Sequence, residues 1–230
     1  MRKWCQITRV LDEAWPRPDL VAIDLVAKKK MDKITIDTYN KMAIDYDNET
    51  ADFWQRFPRS IIKEFGDRVK GGRILDVGSG PGRDALLLQD LGCKITCLDA
   101  SSKMVEMCRD KGLEAIEGDF MSVPFADKSY DAVWAYTSLL HIPKKDIGKA
   151  FEEICRVLKP GGFLGLGLIE GSGELYRNSS GVDQPRYFAF YNRQEVEKLL
   201  SDFGFEIIFF EEFIPRSKKY LNFVAKFVGK

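Results

Sequence analysis

The sequence lacks an excess of either charge sign, because its 230 residues contain 35 lysines and arginines and 35 aspartates and glutamates. Nucleic-acid-binding proteins usually present a basic domain or face. The balanced charge therefore argues against nucleic acid as a partner and leaves room only for a local basic patch. No apolar run approaches the ~20 residues that a membrane-spanning helix needs, and residues 1–30 lack the apolar core of a signal peptide. We therefore expect a cytoplasmic protein that does not contact membranes.

Residue patterns that bind metal are also missing. The five cysteines are scattered, neither C-x-x-C nor a Cys/His cluster occurs, and His141 is the only histidine. Zinc sites are built from such clusters, so no metal site is expected. Cys93 and Cys97 share one face of a strand pattern, which favours buried, reduced thiols in a cytoplasmic protein.

The length fits one domain, residues 31–230, with residues 1–30 as an appendage. Pro16 and Pro18 interrupt any helix in the appendage, and Lys28–Lys30 form a small basic run. Two interpretations stay open. Either residues 1–30 are an extension ahead of a native start at Met31, or they are an ordered arm that covers an interface or the active site. The intact mass of protein purified from its native source would separate the two.

One stretch organises the rest of the chain. Apolar residues 74–77 surround Asp76 in a strand pattern, glycines follow at 78, 80 and 82, and an apolar helix pattern begins directly after them. A buried strand that turns tightly into a helix has this pattern. Glycine permits positive φ and lets a ligand approach the backbone, and the unpaired N–H groups of the helix start favour an anion. The dinucleotide fingerprint needs G-x-G-x-x-G, and Arg83 stands where its last glycine would be.

Residues 76–82 (Asp-Val-Gly-Ser-Gly-Pro-Gly) resemble the first motif of class I S-adenosylmethionine (SAM)-dependent methyltransferases. Further matches follow in the family's order, among them the Leu-Lys-Pro-Gly-Gly turn at 158–162, and the resemblance covers roughly residues 36–227. It implies SAM as the cofactor and an α/β fold, a Rossmann-like three-layer α/β/α sandwich. The seven-stranded, mostly parallel sheet would have the order 3-2-1-4-5-7-6, with strand seven antiparallel.

The resemblance also implies the residues that hold the cofactor. Asp99 ends the second strand pattern about twenty positions beyond the glycine stretch, where a Rossmann-like unit delivers a carboxylate to a ribose diol. Asp119 and Phe120 match the segment that meets the adenine in this family. The alternatives are that Asp99 only starts a helix and that Asp119 lies in a solvated turn. The complete expected cofactor set is Tyr46, Asp76, Gly78, Ser79, Gly80, Gly82, Arg83, Asp99, Ala100, Asp119, Phe120 and Tyr136.

Residues 31–57 have the pattern of one or two amphipathic lid helices. Tyr39 and Tyr46 lie in a Tyr-x-x-x-Ala-x-x-Tyr segment that resembles the helix which closes over the cofactor in many small-molecule methyltransferases. The alternative is that both tyrosines only pack this helix onto the sheet. Ser60 is expected to cap the helix that follows.

The loop after strand four is predicted to carry the chemistry. It runs from Tyr136 to Pro143 at the carboxyl end of the sheet, where ligands of open α/β sheets bind. We therefore expect Tyr136 and His141 to be the catalytic residues, against the alternative that a lone histidine is structural. Glu170 and Asp183 are further candidates for a general base by position.

Residues 170–188 are predicted to be an insertion on the substrate side of the site. Glycines and serines fill its first half, and arginines and aromatic residues are spread across it. Arginine suits a carboxylate or phosphate on a substrate. The alternative is a mobile surface loop with solvated arginines. The expected substrate-binding residues are Tyr39, His141, Arg177 and Arg186.

The expected activity is transfer of a methyl group from SAM to an O, N or C nucleophile of a small molecule, by a monomer or homodimer. Methyltransferases of nucleic-acid amino groups carry a D-P-P-Y-type tetrapeptide after strand four, and residues 135–138 of this chain are Ala-Tyr-Thr-Ser. One alternative is the same fold acting on RNA or protein, for which Lys28–Lys30 is the only local hint. Another is a SAM-binding protein without transferase activity. Arg83 argues against a dehydrogenase.

Overall fold

The computed structural model describes residues 31–51, 59–179 and 182–229, without the side chains of 179–183. The predictions for residues 1–30, for the end of the lid region and for the Asp183 side chain lie outside the described residues.

Helices and strands alternate along most of the described chain. The helices are α1 (Lys33–Thr50), α2 (Ser60–Val69), α3 (Arg83–Asp90), α4 (Ser102–Asp110), α5 (Ile147–Val157) and α6 (Arg193–Asp202), with a short 3₁₀ helix at Leu139–His141. The strands are β1 (Arg73–Val77), β2 (Lys94–Asp99), β3 (Glu114–Glu117), β4 (Tyr130–Tyr136), β5 (Leu158–Ile169), β6 (Glu174–Ser179), β7 (Val182–Ala189), β8 (Phe205–Phe213) and β9 (Tyr220–Phe227). The alternation is typical of a layered α/β domain.

Seven strands form one sheet in the order β3-β2-β1-β4-β5-β9-β8. Strands β1 to β5 run parallel, and β9 is antiparallel to both β5 and β8. Ile74, Leu75 and Val77 of the central strand are fully buried, because helices cover both faces of such a sheet. The predicted fold class and strand order are confirmed, with β8 and β9 as the predicted strands six and seven.

The carboxyl ends of the central strands build the site. Gly78 follows β1, Asp99 ends β2, and Thr137 follows β4. Because parallel neighbours end at the same edge of a sheet, these three residues meet there. Thr137 has a φ of 54°, an uncommon conformation for a residue other than glycine, of the kind that is concentrated at functional sites.

The predicted insertion is an ordered hairpin. Strands β6 and β7 pair with each other in a separate two-stranded sheet. The hairpin is bonded to α1, since the Thr38 hydroxyl donates to the Pro185 carbonyl at 2.8 Å and the Tyr187 N–H donates to the Thr35 hydroxyl at 2.9 Å. The alternative of a mobile surface loop with solvated arginines is therefore wrong for the residues that the structure describes here.

One helix start has a complete capping box, whereas the cap predicted at Ser60 is wrong. Asn192 accepts from the Glu195 N–H at 2.9 Å and Glu195 accepts from the Asn192 N–H at 2.8 Å, which is a complete capping box at α6. Ser60 does not cap α2. Arg59 occupies the cap position, and its side chain forms no hydrogen bond to the N–H groups at the helix start. The Ser60 hydroxyl donates to Glu211 instead.

Two further features limit the classes of site available. Within the ranges given above, no group of three or more His, Cys, Asp or Glu residues could hold a metal ion. None of the helices described is both long and apolar enough to cross a membrane.

Candidate active site

The glycine stretch is shaped by backbone conformation and by packing. Gly80 has a φ of 53°, and a Cβ added there would meet nothing within 4 Å. Gly78 has a φ of 71°, and a Cβ there would lie 2.3 Å from the Cβ of Ser138. The positive φ therefore favours glycine at 80, where the space beside the backbone is open, whereas packing against the β4 loop also enforces glycine at 78.

Asp99 is fixed by the backbone of this stretch. Its Oδ2 accepts from the Gly80 N–H at 2.8 Å and its Oδ1 accepts from the Ser101 N–H at 2.8 Å. Burial raises the pKa of Asp99 to about 6, although the hydrogen bonds from Ser101, Gly80 and Ala100 oppose that rise. The carboxylate lines a cavity beside Gly78 and Phe120, where its remaining lone pairs suit a diol.

The affinity for S-adenosylhomocysteine (SAH) is expected to fall as the pH drops below about 6, the pKa of Asp99. A protonated carboxyl is a poorer acceptor, so each pH unit below that pKa costs up to about tenfold in affinity. The same shift favours the ligand-free fold at acid pH, and that stabilisation is lost as the pH rises through the folded pKa. Calorimetric titrations from about pH 5 to about pH 8 measure the affinity, and Asp99→Asn should remove its pH dependence. A flat wild-type profile would contradict the prediction.

Asp76 is a buried acceptor with spare capacity. It is 2% exposed, and its Oδ2 has no hydrogen-bond partner among the residues described. Burial, and next the charge of Asp84, raise the pKa of this carboxyl well above its ordinary range. A buried acceptor without a donor is costly, and a cationic or N–H donor bound at the neighbouring glycine stretch is the kind of group that it lacks. Asp76 itself does not line the cavity, so the features there that fit a SAM-like cofactor are the Asp99 carboxylate and the open space beside Gly80.

Three of the expected cofactor residues contact other parts of the protein. Asp119 accepts from the Met31 N–H at 2.6 Å and from the Met121 N–H at 2.8 Å. Arg83 lines the cavity, but its guanidinium grips Asp47 of α1 through Nε at 2.9 Å. Gly82 contacts protein atoms, because a Cβ there would lie 2.5 Å from Leu113. The predicted roles of Asp119 and Arg83 toward the cofactor stay predictions.

Helix α1 forms the roof of the cavity. The Ser101 hydroxyl donates to Asn40 Oδ1 at 2.7 Å, and Arg83 holds Asp47 near the other end of the helix. Tyr39 and Tyr46 of the same helix pack edge to face, with ring centroids 5.5 Å apart. Residues of α1 therefore line the cavity, and its role as a lid over a bound cofactor stays a prediction.

Tyr39, His141 and Arg186 form one chain of hydrogen bonds. Arg186 donates to the Tyr39 hydroxyl at 2.8 Å, and that oxygen lies 2.9 Å from His141 Nε2. His141 Nδ1 lies 2.6 Å from the Tyr187 carbonyl, which can only accept. We therefore assign the proton of the neutral ring to Nδ1, so that Nε2 accepts from Tyr39. Burial, and to a smaller extent the charge of Arg186, lower the pKa of His141 to about 3, although the hydrogen bond with the Tyr187 carbonyl opposes this fall.

Tyr136 is held in an aromatic stack. Its ring lies parallel to those of Trp134 and Tyr220, and the Arg59 guanidinium sits 4.1 Å from its centroid. Burial raises the pKa of the Tyr136 hydroxyl. Arg59 is itself paired with Asp84, a residue that sequence analysis did not select and that also lines the cavity. The stack makes Tyr136 a rigid wall of the cofactor cavity.

A second cavity of about 430 Å³ opens beside the first. Nine of the twelve expected cofactor residues line the first cavity: Tyr46, Gly78, Ser79, Gly80, Arg83, Asp99, Ala100, Phe120 and Tyr136. All four expected substrate residues line the second: Tyr39, His141, Arg177 and Arg186. The two cavities share a wall made of Tyr39, Tyr46, Thr50, Thr137 and His141.

Sequence analysis missed two basic residues of the second cavity. Arg216 and Lys218 line it from the loop before β9. The signal was present, since residues 216–219 read Arg-Ser-Lys-Lys, and Lys28–Lys30 is therefore not the only local basic run. What the sequence did not show is that this run lies beside the hairpin arginines.

Known proteins are similar to this chain in sequence and in fold. Residues 75–166 match the family described as Methyltransferase domain. The chain is 36% identical over 151 residues to Methyltransferase GfsG of Streptomyces halstedii, a match that covers 56% of this chain and 53% of that protein. The chain spans about half the length, or less, of the curated relatives that it matches.

Two solved structures show the same fold. A SAM-dependent methyltransferase of Methanosarcina mazei has a TM-score of 0.66 at 20% identity, over 75% of this chain and 99% of that one. The 1,6-didemethyltoxoflavin-N1-methyltransferase of Burkholderia thailandensis, solved with 1,6-didemethyltoxoflavin and SAH bound, has a TM-score of 0.64 at 15% identity over 93% and 96%. At these identities the likeness shows the fold alone.

The fold is that of SAM-dependent methyltransferases of known structure, and residues 75–166 match the methyltransferase domain family. Together with the glycine stretch and the acid that ends β2, these matches support a class I SAM-dependent methyltransferase. The predicted family and the predicted cofactor, SAM, are confirmed.

Proposed function

We propose that the chain transfers the methyl group of SAM to a nucleophile of a small-molecule acceptor bound in the second cavity. The wall shared by the two cavities carries this proposal. A methyl donor held by Asp99 and the glycine stretch and an acceptor held beneath the hairpin would meet at Tyr39, Thr137 and His141. Two ligands that share one wall fit a direct transfer between them.

The residues at this wall serve geometry more than proton transfer. SAM, when bound, supplies a methyl group on a positively charged sulfur, so the protein needs mainly to align the acceptor and exclude water. Helix α1 covers the cofactor cavity, and its Tyr39 and Tyr46 also face the acceptor. Alignment and water exclusion therefore depend on the same helix.

His141 is a weak base in this setting. Burial lowers the pKa of His141 to about 3, so the ring is a poor proton acceptor near neutral pH. Both ring nitrogens are also engaged, by Tyr39 and by the Tyr187 carbonyl. We propose that His141 positions the Tyr39 hydroxyl, and that the acceptor atom is one that needs no strong base, such as a neutral amine or a thiolate.

Removing the Tyr39 hydroxyl is expected to lower kcat/KM by about tenfold, the usual cost of losing an oriented hydrogen bond at the reacting centre. Tyr39→Phe keeps the ring and breaks its bonds to Arg186 and His141. Tyr176→Phe is the matched control, because that hydroxyl donates to Asp32 on the exposed side of the hairpin. Equal rates for the two variants would contradict a positioning role for Tyr39.

The proposed function is tested with labelled SAM and an extract of the source organism, separated into metabolite-sized and macromolecular fractions. We expect SAH release and label incorporation with the metabolite-sized fraction. Incorporation only into RNA or protein would replace the small-molecule proposal with the macromolecular alternative. SAH binding without turnover on either fraction would favour a binding protein without transferase activity.

A further inference from the structure

Four cationic side chains line the second cavity. We call Arg177, Arg186, Arg216 and Lys218 the basic wall. Glu49, near the end of α1, is the only acid among the described residues that line this cavity. A chain with equal numbers of acidic and basic residues thus concentrates positive charge around one small volume.

The hairpin places two of these charges directly opposite each other. Arg177 on β6 pairs in register with Arg186 on β7. Like charges that face each other across strands destabilise a sheet. Both guanidinium groups lie near the ring of Phe188, with Cζ atoms 5.0 and 5.4 Å from its centroid. The ring attracts both cations through cation–π interactions, but it carries no negative charge that could neutralise them.

Lys218 adds a third charge to the same place. Its burial, and next the charges of Arg177 and Arg186, lower the pKa of its ammonium group. In the part of the chain that the structure describes, neither Lys218 nor Arg177 forms an ion pair with a carboxylate. The neighbouring Lys219 does, with Glu170 at 3.1 Å and Glu212 at 3.3 Å. Lys218 and Arg177 therefore carry positive charges that no carboxylate of the described residues pairs with.

We propose that the methyl acceptor carries an oxyanion group, a phosphate or a carboxylate, which binds to the basic wall. This inference rests on the proposed function, since it names the chemistry of the acceptor in that same cavity. An oxyanion would neutralise the opposed arginines and accept from their planar donor groups. Tyr39 and His141 line both cavities, whereas the residues of the basic wall line only the second. The anion would therefore anchor one end of the acceptor and leave its other end at the methyl group.

The anchoring role predicts a preference for anions that Lys218 controls. In SAH-saturated protein, we expect saturable calorimetric binding of inorganic phosphate or of acetate, and no binding of glycerol. Lys218→Gln should weaken anion binding at least tenfold. Lys219→Gln, which removes the same charge one residue away, should change it less than twofold. Arg177→Gln is a second, independent variant that should weaken the anion in the same way as Lys218→Gln.

The outcomes separate this inference from the proposed function. Tighter binding of phosphate than of acetate would assign a phosphorylated acceptor, and the reverse order would assign a carboxylate. Wild-type protein that binds SAH but neither anion would overturn the inference and leave the proposed function standing, as would equal anion affinities for Lys218→Gln and Lys219→Gln. Folded wild-type protein that binds no SAH would instead overturn the proposed function. Lys218→Arg, which keeps the charge, should retain anion binding.

Discussion

Replacing Asp99 by alanine is expected to weaken SAH binding by tenfold to a hundredfold. The carboxylate is held at the end of β2 by the N–H groups of Gly80 and Ser101, so it faces the cavity in a fixed orientation. A charge-assisted hydrogen bond contributes about 1.5–3 kcal/mol, which is roughly one to two orders of magnitude in affinity. Isothermal titration calorimetry of SAH into wild type and Asp99→Ala measures the loss directly.

The matched control for this variant is Glu117→Ala. Glu117 pairs in register with Asp99 on the neighbouring strand, but its side chain is exposed. It should change SAH affinity less than twofold while removing the same charge. Thermal unfolding of both variants shows whether a loss of binding reflects a loss of structure. An Asp99→Ala protein that is folded and binds SAH as tightly as the control would refute the assignment of Asp99 to the cofactor.

Replacing Asp84 by alanine is expected to lower the free energy of unfolding by about 3–5 kcal/mol, because it strands a buried charge. The Arg59 side chain is 1% exposed and forms its ion pair with Asp84. Asp84 Oδ2 also accepts from the Trp134 indole N–H at 3.0 Å. Without the carboxylate, Arg59 loses its ion pair and keeps its contact with the Tyr136 ring, which is a weaker partner than a carboxylate.

Urea denaturation of Asp84→Ala, read against Asp67→Ala, measures this effect. Asp67 pairs with Lys63 on the exposed face of α2, and such surface pairs contribute at most about 1 kcal/mol. The double variant Arg59→Met with Asp84→Leu should regain much of the lost stability, because it removes both charges together. A loss no larger than that of Asp67→Ala would show that the buried pair does not hold the cofactor cavity in place.

The parts of the site that could be predicted are those written in consecutive residues. The strand, the glycines and Asp99 lie within one βαβ segment, so their spacing alone indicates a shared edge of the sheet. The pairing of Arg59 with Asp84 could not be read in this way, because 25 residues separate them. The same holds for Lys218, which joins Arg177 only when β9 returns beside β5.

Some predicted site residues lie at the site but contact protein groups that the sequence did not indicate. Gly78 was expected to yield space to a ligand, and the structure gives that space to Ser138. Arg83 was expected at the cofactor, and its guanidinium holds Asp47 of the lid. In both cases the second partner lies on an element far along the chain, and residue type alone does not name it.

The two sheets form different parts of the site. The seven-stranded sheet carries the glycine stretch and Asp99, and the separate hairpin sheet carries Arg177 and Arg186. The segment that matches the methyltransferase family ends at residue 166, before β6 begins at Glu174. The hairpin hydrogen-bonds to α1 and shares no strand with the seven-stranded sheet. A change in the hairpin therefore leaves the register of the strands that shape the glycine stretch and Asp99 intact. The second cavity can thus be altered by mutation or design in the hairpin, provided that its bonds to Thr35, Thr38 and Tyr39 are kept.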